Sequence, residues 1–257
     1  MSLRVTILGC GTSGGVPRIG GDWGVCDPTE PRNRRRRCSI VVENSTTRVL
    51  IDTAPDMREQ LLDAGIDRID GVIWTHDHAD QSHGLDDLRA FHIRSGRPVR
   101  GFADPDTARG LKTKFGYCFE RLAGSMYPAI IDLTLVDGPF QIGTLDVVPI
   151  AQDHGNNTIS YGFRFGSFAY SNDVVMLDDE ALDALSGIKV WVVDAMRYKP
   201  HPTHSHLERT LGWIARVKPE RAILTNMHID LDYRTLLEEL PDGVEPAYDG
   251  MVIEVPA

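Results

Sequence analysis

Short apolar runs, rich in β-branched residues and broken by Gly and Asp, alternate with polar turns along this chain. Val5-Thr6-Ile7-Leu8 leads into a Gly-rich stretch from Gly9 to Gly15. Ser39-Ile40-Val41-Val42 and Arg48-Val49-Leu50-Ile51-Asp52 flank Asn44-Ser45-Thr46-Thr47, which predicts a hairpin. Pro55, followed by Leu61 and Leu62, predicts a helix after it. Gly71-Val72-Ile73-Trp74 is continuously apolar, the pattern of a buried strand. Over 84–94 a helix would put Leu85, Leu88, Phe91 and His92 on one side. Further strands are predicted at 145–150, 159–165, 168–171, 190–193, 222–225 and 251–255, and helices at 178–186, 206–217 and 233–240. Hairpin-rich strands in both halves, with helices between, predict two packed sheets covered by helices. A single domain over 1–257 is expected, since no linker, repeat or low-complexity tract interrupts the pattern. The stretch 9–15 lacks G-x-G-x-x-G spacing ahead of a helix and runs into Pro17, so it does not read as a dinucleotide-binding turn.

Composition narrows the function classes. A net charge of −10 argues against a long nucleic acid or a membrane surface as partner. The exception is Arg34-Arg35-Arg36-Arg37, which reads either as a solvated loop or as an anion-holding rim near a pocket. Cys10, Cys26, Cys38 and Cys118 form no C-x-x-C pair, and no apolar run reaches membrane-spanning length. Reduced thiols, and a start that lacks a leader pattern, make a cytoplasmic protein the expectation.

The strongest chemical signal is Thr75-His76-Asp77-His78-Ala79-Asp80, at the end of an apolar run. An extended segment throws alternate side chains to one side, so His76, His78 and Asp80 are expected to converge. Two imidazoles and a carboxylate suit Zn²⁺ or Mn²⁺, whereas unpaired they would make a costly core. Further ligands are expected from other strand ends: His154, Asp173 and His228 each follow a strand-like run.

Thr-His-x-His-x-Asp, then a loop His, a strand-end Asp and a late His, resembles the metallo-β-lactamase superfamily, and Ile51-Asp52-Thr53-Ala54 resembles its early aspartate motif. Gly9-Cys10-Gly11-Thr12-Ser13-Gly14-Gly15-Val16-Pro17, the Arg-rich stretch before Cys38-Ser39 and Gly84-Leu85-Asp86-Asp87-Leu88-Arg89 narrow the match. His201-Pro202-Thr203-His204-Ser205-His206-Leu207 and Tyr248-Asp249-Gly250-Met251 add to it. Together they resemble the phosphoribosyl cyclic phosphate phosphodiesterases linked to carbon–phosphorus lyase pathways. The resemblance implies a four-layer αββα sandwich, of α+β class, with two divalent metal ions (Zn or Mn). His76, His78 and His154 would hold the first, Asp173 would bridge, and Asp80 would serve the second and orient the attacking water. His204 would be the proton donor.

Two departures fall on the second metal. Gln81 and Asn226 stand where the family carries His. An amide oxygen is a neutral, harder donor, so the second site is expected to bind more weakly or to prefer Mn²⁺. His228 is expected to swing in as a replacement, two residues along a strand. His206 and His83 are weaker substitutes, and Asp52 is a support residue. The subfamily's cysteine-rich structural zinc site is expected to be absent, with Cys26 alone of its pattern.

The expected activity is hydrolysis of a small, cyclic, ribose- or nucleotide-type phosphodiester by metal-activated water. Two alternatives remain: a hydrolase of the same fold acting on thioesters or lactones, and a nucleotide- or metal-binding protein with little catalysis. A second copy of the chain is a candidate partner.

Overall fold

The computed structural model describes residues 2–256. One sheet begins with β1 (Leu3–Gly9), β2 (Ser39–Glu43), β3 (Arg48–Ile51), β4 (Gly71–Ile73), β5 (Val99–Ala103) and β6 (Ile131–Leu135). The other holds β7 (Phe140–Ile142), β8 (Leu145–Asp153), β9 (Ile159–Phe165), β10 (Phe168–Ser171), β11 (Val190–Asp194), β12 (Arg221–Thr225) and β13 (Val244–Pro246). The last strand, β14 (Val252–Val255), returns to pair with β1, so each sheet has seven strands. Both sheets run antiparallel at one end and parallel at the other; β3 to β6 are parallel neighbours, as are β10 to β13.

The sequence pattern follows from this layering. In β2, Ile40 and Val42 face the core between the sheets, whereas Val41 faces a second core against the helices. Both faces are covered, so apolar residues run on without a polar alternate. Leu61, Leu85, Leu88 and Leu111 close the second core on the first sheet, and Leu182, Trp213 and Leu236 cover the other. The fold is therefore the expected α+β sandwich of two sheets flanked by helices. Among the described residues no helix is long and apolar enough to cross a membrane. All four cysteines are free and buried.

The expected helix over 84–94 divides into a 3₁₀ turn, Leu85–Leu88, and a helix, Arg89–Ser95. The helix Pro105–Phe119 has no counterpart among the predicted elements. Gly110 and Gly116 weaken its signal, and Phe115 leaves helical geometry at φ −129° and ψ 35°.

Candidate metal centre

The candidate residues stand at strand ends on one edge of the sandwich. Asp52, His154 and Asn226 directly follow β3, β8 and β12, Asp173 lies two residues beyond β10, and His76 lies three residues beyond β4. Asp52, Asp173 and Asn226 each adopt a left-handed backbone, at φ 63°, 52° and 60°. Asp and Asn tolerate that region better than other side chains, so each strand can turn sharply where the chemistry begins. Gly155 lets the His154 loop press close: a Cβ there would lie 2.5 Å from the Pro202 carbonyl oxygen.

His76, His78 and His154 meet as a triangle, with ring centroids 4.4, 4.9 and 5.0 Å apart. Their facing nitrogens satisfy one another poorly. His154 Nε2 lies 3.2 Å from His78 Nδ1, and the buried His76 Nε2 has no hydrogen-bond partner. Each buried ring is turned by its other nitrogen. His76 Nδ1 lies 3.0 Å from the Thr75 hydroxyl, which donates to Asp52, and His154 Nδ1 donates to the Thr203 carbonyl at 2.8 Å. That arrangement leaves both Nε2 lone pairs facing inward. Burial pushes the pKa of His76 down, and burial with the neighbouring His204 pushes that of His154 down to about 3. Both rings are neutral at pH 7, so no proton competes with a cation. Three imidazole nitrogens within reach of one point, one of them without a partner, fit a divalent metal of the zinc type.

Asp52 braces this corner. Its fully buried carboxylate accepts from the Thr75 amide at 2.8 Å and from the Thr75 hydroxyl at 2.9 and 3.1 Å. Orienting partners of ligand histidines are typically worth about 10- to 100-fold in metal affinity. Asp52→Asn keeps the shape and tolerates the left-handed turn, and metal affinity is expected to fall by that factor. Chelator competition reads it; unchanged affinity would contradict the brace.

A second group joins His154 to Asp173 and His204. Asp173 is buried, and burial raises its pKa despite the His204 charge nearby. Amide donors crowd it: Gln81 Nε2 at 2.7 Å, Asn172 Nδ2 at 2.6 Å and Asn226 Nδ2 at 3.3 Å. Gln81 Nε2 also reaches Asp80 at 3.3 Å, so it stands between two carboxylates. Its own oxygen is buried without a partner. Turning that amide would offer the oxygen to a cation between Asp80 and Asp173.

His204 Nδ1 lies 3.1 Å from Asp194 Oδ2 and 3.5 Å from Asp173 Oδ1. Burial alone would lower its pKa; the Asp194 hydrogen bond and the charges of Asp194, Asp173 and Asp80 outweigh that and raise it to about 9. Asp194 ends Val190-Trp191-Val192-Val193-Asp194 much as Asp52 ends its own run, the one signal of it in the sequence.

Several expectations need correction. Asp80 does not alternate with the histidines, because β4 stops at Ile73 and a short helix, Ala79–Ser82, begins before it. His228 does not join the cluster. The left-handed Asn226 ends strand alternation at Thr225, and both nitrogens of His228 are engaged, by Arg18 and by Asp230. His206 caps Leu207–Val217 with its Nε2 4.0 Å from Glu208, outside both groups, and His83 is exposed against Phe115. The arginine run is not an open rim: Arg35 is buried, Arg36 pairs with Asp63 and Asp249, and Arg37 pairs with Asp56. A cavity of about 570 Å³ lined by Ile93, Tyr117, Leu122 and Tyr127 contains none of the candidate ligands.

Residues 47–229 match the family model of the beta-lactamase superfamily domain. A solved structure of a diphosphatase from the PhnP family shares 37% identity and a TM-score of 0.91, over 99% of this chain and 97% of that one. The chain belongs to the PhnP family of the metallo-β-lactamase superfamily. Zn²⁺-bound PqqB from Methylobacterium extorquens, 17% identical with a TM-score of 0.73 over 97% and 99% of the two chains, shares the fold. An octanoyltransferase of Porphyromonas gingivalis (strain ATCC BAA-308 / W83) is 32% identical over 256 residues, 97% of this chain and 51% of the relative. The chain thus spans about half the length of that curated relative. The His-rich centre of this superfamily domain suits a divalent metal ion.

Proposed function

We propose that the protein is a phosphodiesterase acting on a small, cyclic, ribose- or nucleotide-type phosphodiester, with Zn²⁺ or Mn²⁺ as its metal. The observation that carries this reading is a half-buried histidine, His204, set against the metal group by two carboxylates and held ready to give a proton. The 37% identical diphosphatase supports hydrolysis at phosphorus. In this reading His76, His78, His154 and Asp173 hold the first cation. Asp80, Asp173, Gln81 and Asn226 hold a second, weaker one. The bound cation supplies an acidified water and positive charge against the phosphoryl oxygens. Asp80 orients the attacking water. With His204 Nδ1–H engaged by Asp194, Nε2 is the ring atom left to deliver a proton to the departing oxygen. The net charge of −10 favours a small substrate over long nucleic acid, and four free, buried thiols suit a cytoplasmic setting.

The amide donors seated on Asp173 favour one second reading, a metal-binding protein with little catalysis. Turnover of bis(p-nitrophenyl) phosphate against a p-nitrophenyl-free thioester, each with added Mn²⁺ or Zn²⁺, separates the readings. Diester cleavage is expected; thioester cleavage alone, or neither, would overturn the proposal.

A further inference from the structure

We propose that Lys114 is a positioning residue for the metal centre: it grips Asp77, between two of the clustered histidines, and so fixes the aim of His78. The inference rests on the metal centre and not on which bond the protein breaks. Two of the three clustered imidazoles are turned by their second nitrogen, His76 by the Thr75 hydroxyl and His154 by the Thr203 carbonyl. Among the described residues nothing does this for His78, which is exposed and whose Nδ1 faces His154. Holding a free ring in one rotamer costs entropy, so its aim depends on how firmly its backbone is set. Ser82 Oγ donates to the His78 carbonyl at 2.7 Å and lies 3.1 Å from the Asp77 carbonyl. Lys114 Nζ donates to that same Asp77 carbonyl, and to Asp77 Oδ2 at 2.5 Å. One ammonium thus holds both the backbone and the side chain of the residue between His76 and His78.

The helix that carries Lys114 is a fixed support. Asp104, directly after β5, caps Pro105–Phe119 by accepting from the amides of Asp106 at 2.9 Å and Thr107 at 3.2 Å. Ala108 and Leu111 anchor it in the core against the first sheet. Gly110 lets it press on the histidine loop: a Cβ there would collide with the Asp77 carboxylate. Glycine inside a helix costs helix stability, and the close approach to Asp77 is what it permits. Further along, the Phe115 ring meets that of His83 at 5.5 Å, and Cys118 Sγ lies 3.6 Å from Asp86 Oδ1. The helix therefore follows the ligand-bearing segment from Asp77 to Asp86. Lys114 is the last residue before Phe115 leaves helical geometry. The Lys114–Asp77 pair is about one-third exposed on each side, 36% and 31%, so solvent screens it and its value lies in direction more than in stability.

The test is competition for Zn²⁺ between a chelator and the metal-free protein, with the visible absorption of the Co²⁺-loaded protein as a report of ligand geometry. Groups that orient ligand histidines are typically worth about 10- to 100-fold in metal affinity, and a part-exposed one belongs at the lower end. Lys114→Met keeps the alkyl stem. It is expected to weaken Zn²⁺ binding about 10-fold and to shift the Co²⁺ bands, with the melting temperature of the metal-free protein unchanged. Lys114→Arg should restore part of the affinity. Gly110→Ala, whose new methyl displaces Asp77, should weaken binding although alanine favours the helix. Lys112→Met, on the same helix with Glu120 at 3.9 Å, should leave affinity and spectrum unaltered. Wild-type affinity and spectrum in Lys114→Met would overturn the proposal. So would a loss that Lys112→Met shares, or one matched by a lower melting temperature of the metal-free protein and not relieved in Lys114→Arg. Wild-type protein that takes up no Zn²⁺ would instead refute the metal centre, and the positioning role with it.

Discussion

Replacing His204 with alanine is expected to lower kcat by about 10² to 10⁴ and to leave the metal content as it was. The ring contributes a held proton, and the cluster of three imidazoles stands without it. The pH profile supplies the sign. An acid donates in its protonated form, and Asp194 with Asp173 raises the His204 pKa to about 9 from 6.5. A cation on Asp173 withdraws part of that support, whereas Asp194 keeps its share. Wild-type kcat should therefore fall with rising pH through a value above 6.5 and no higher than about 9, and the alanine variant should lack that limb. His204 also belongs to the second candidate group with His154 and Asp173. If it serves as a ligand instead, His204→Ala loses an equivalent of metal along with activity, and elemental analysis decides.

His154→Ala should do more damage. His154 is the one side chain shared by both candidate groups. Its loss removes a nitrogen from each and leaves a buried gap against Thr203. Orienting residues alone cost about 10- to 100-fold in metal affinity. Removal of a shared ligand should therefore exceed that factor and abolish turnover at micromolar metal. Asp52→Asn, one bond further out, should retain turnover once metal is raised to saturation. Equal losses in the two variants would show that His154 acts through packing and not as a ligand.

Strands such as Ile40-Val41-Val42 announce themselves because helices and the other sheet bury both faces. His76, His78, His154 and Asp173 were readable because each follows an apolar run, and strand ends on one edge converge whatever lies between. Local backbone geometry overrides periodicity at two places. Strand alternation would bring Asp80 beside the histidines, yet a helix starts at Ala79. The same alternation would bring His228 in, yet Asn226 turns left-handed and sends the chain toward Arg18. Asp194 is illegible in the sequence because an aspartate ending a strand has no meaning until its partner is known, and His204 arrives only through tertiary folding. Arg35 and its neighbours looked alike as a run, although one is buried and two are paired.

Anomalous diffraction from crystals of the metal-loaded protein, recorded at the zinc and manganese edges, tests the central claim most directly. A peak about 2.0–2.2 Å from His76 Nε2, His78 Nδ1 and His154 Nε2 is predicted, with a weaker one beside Asp173 between Gln81 and Asn226. Density with no peak among these three imidazoles, at full metal loading, would contradict the account.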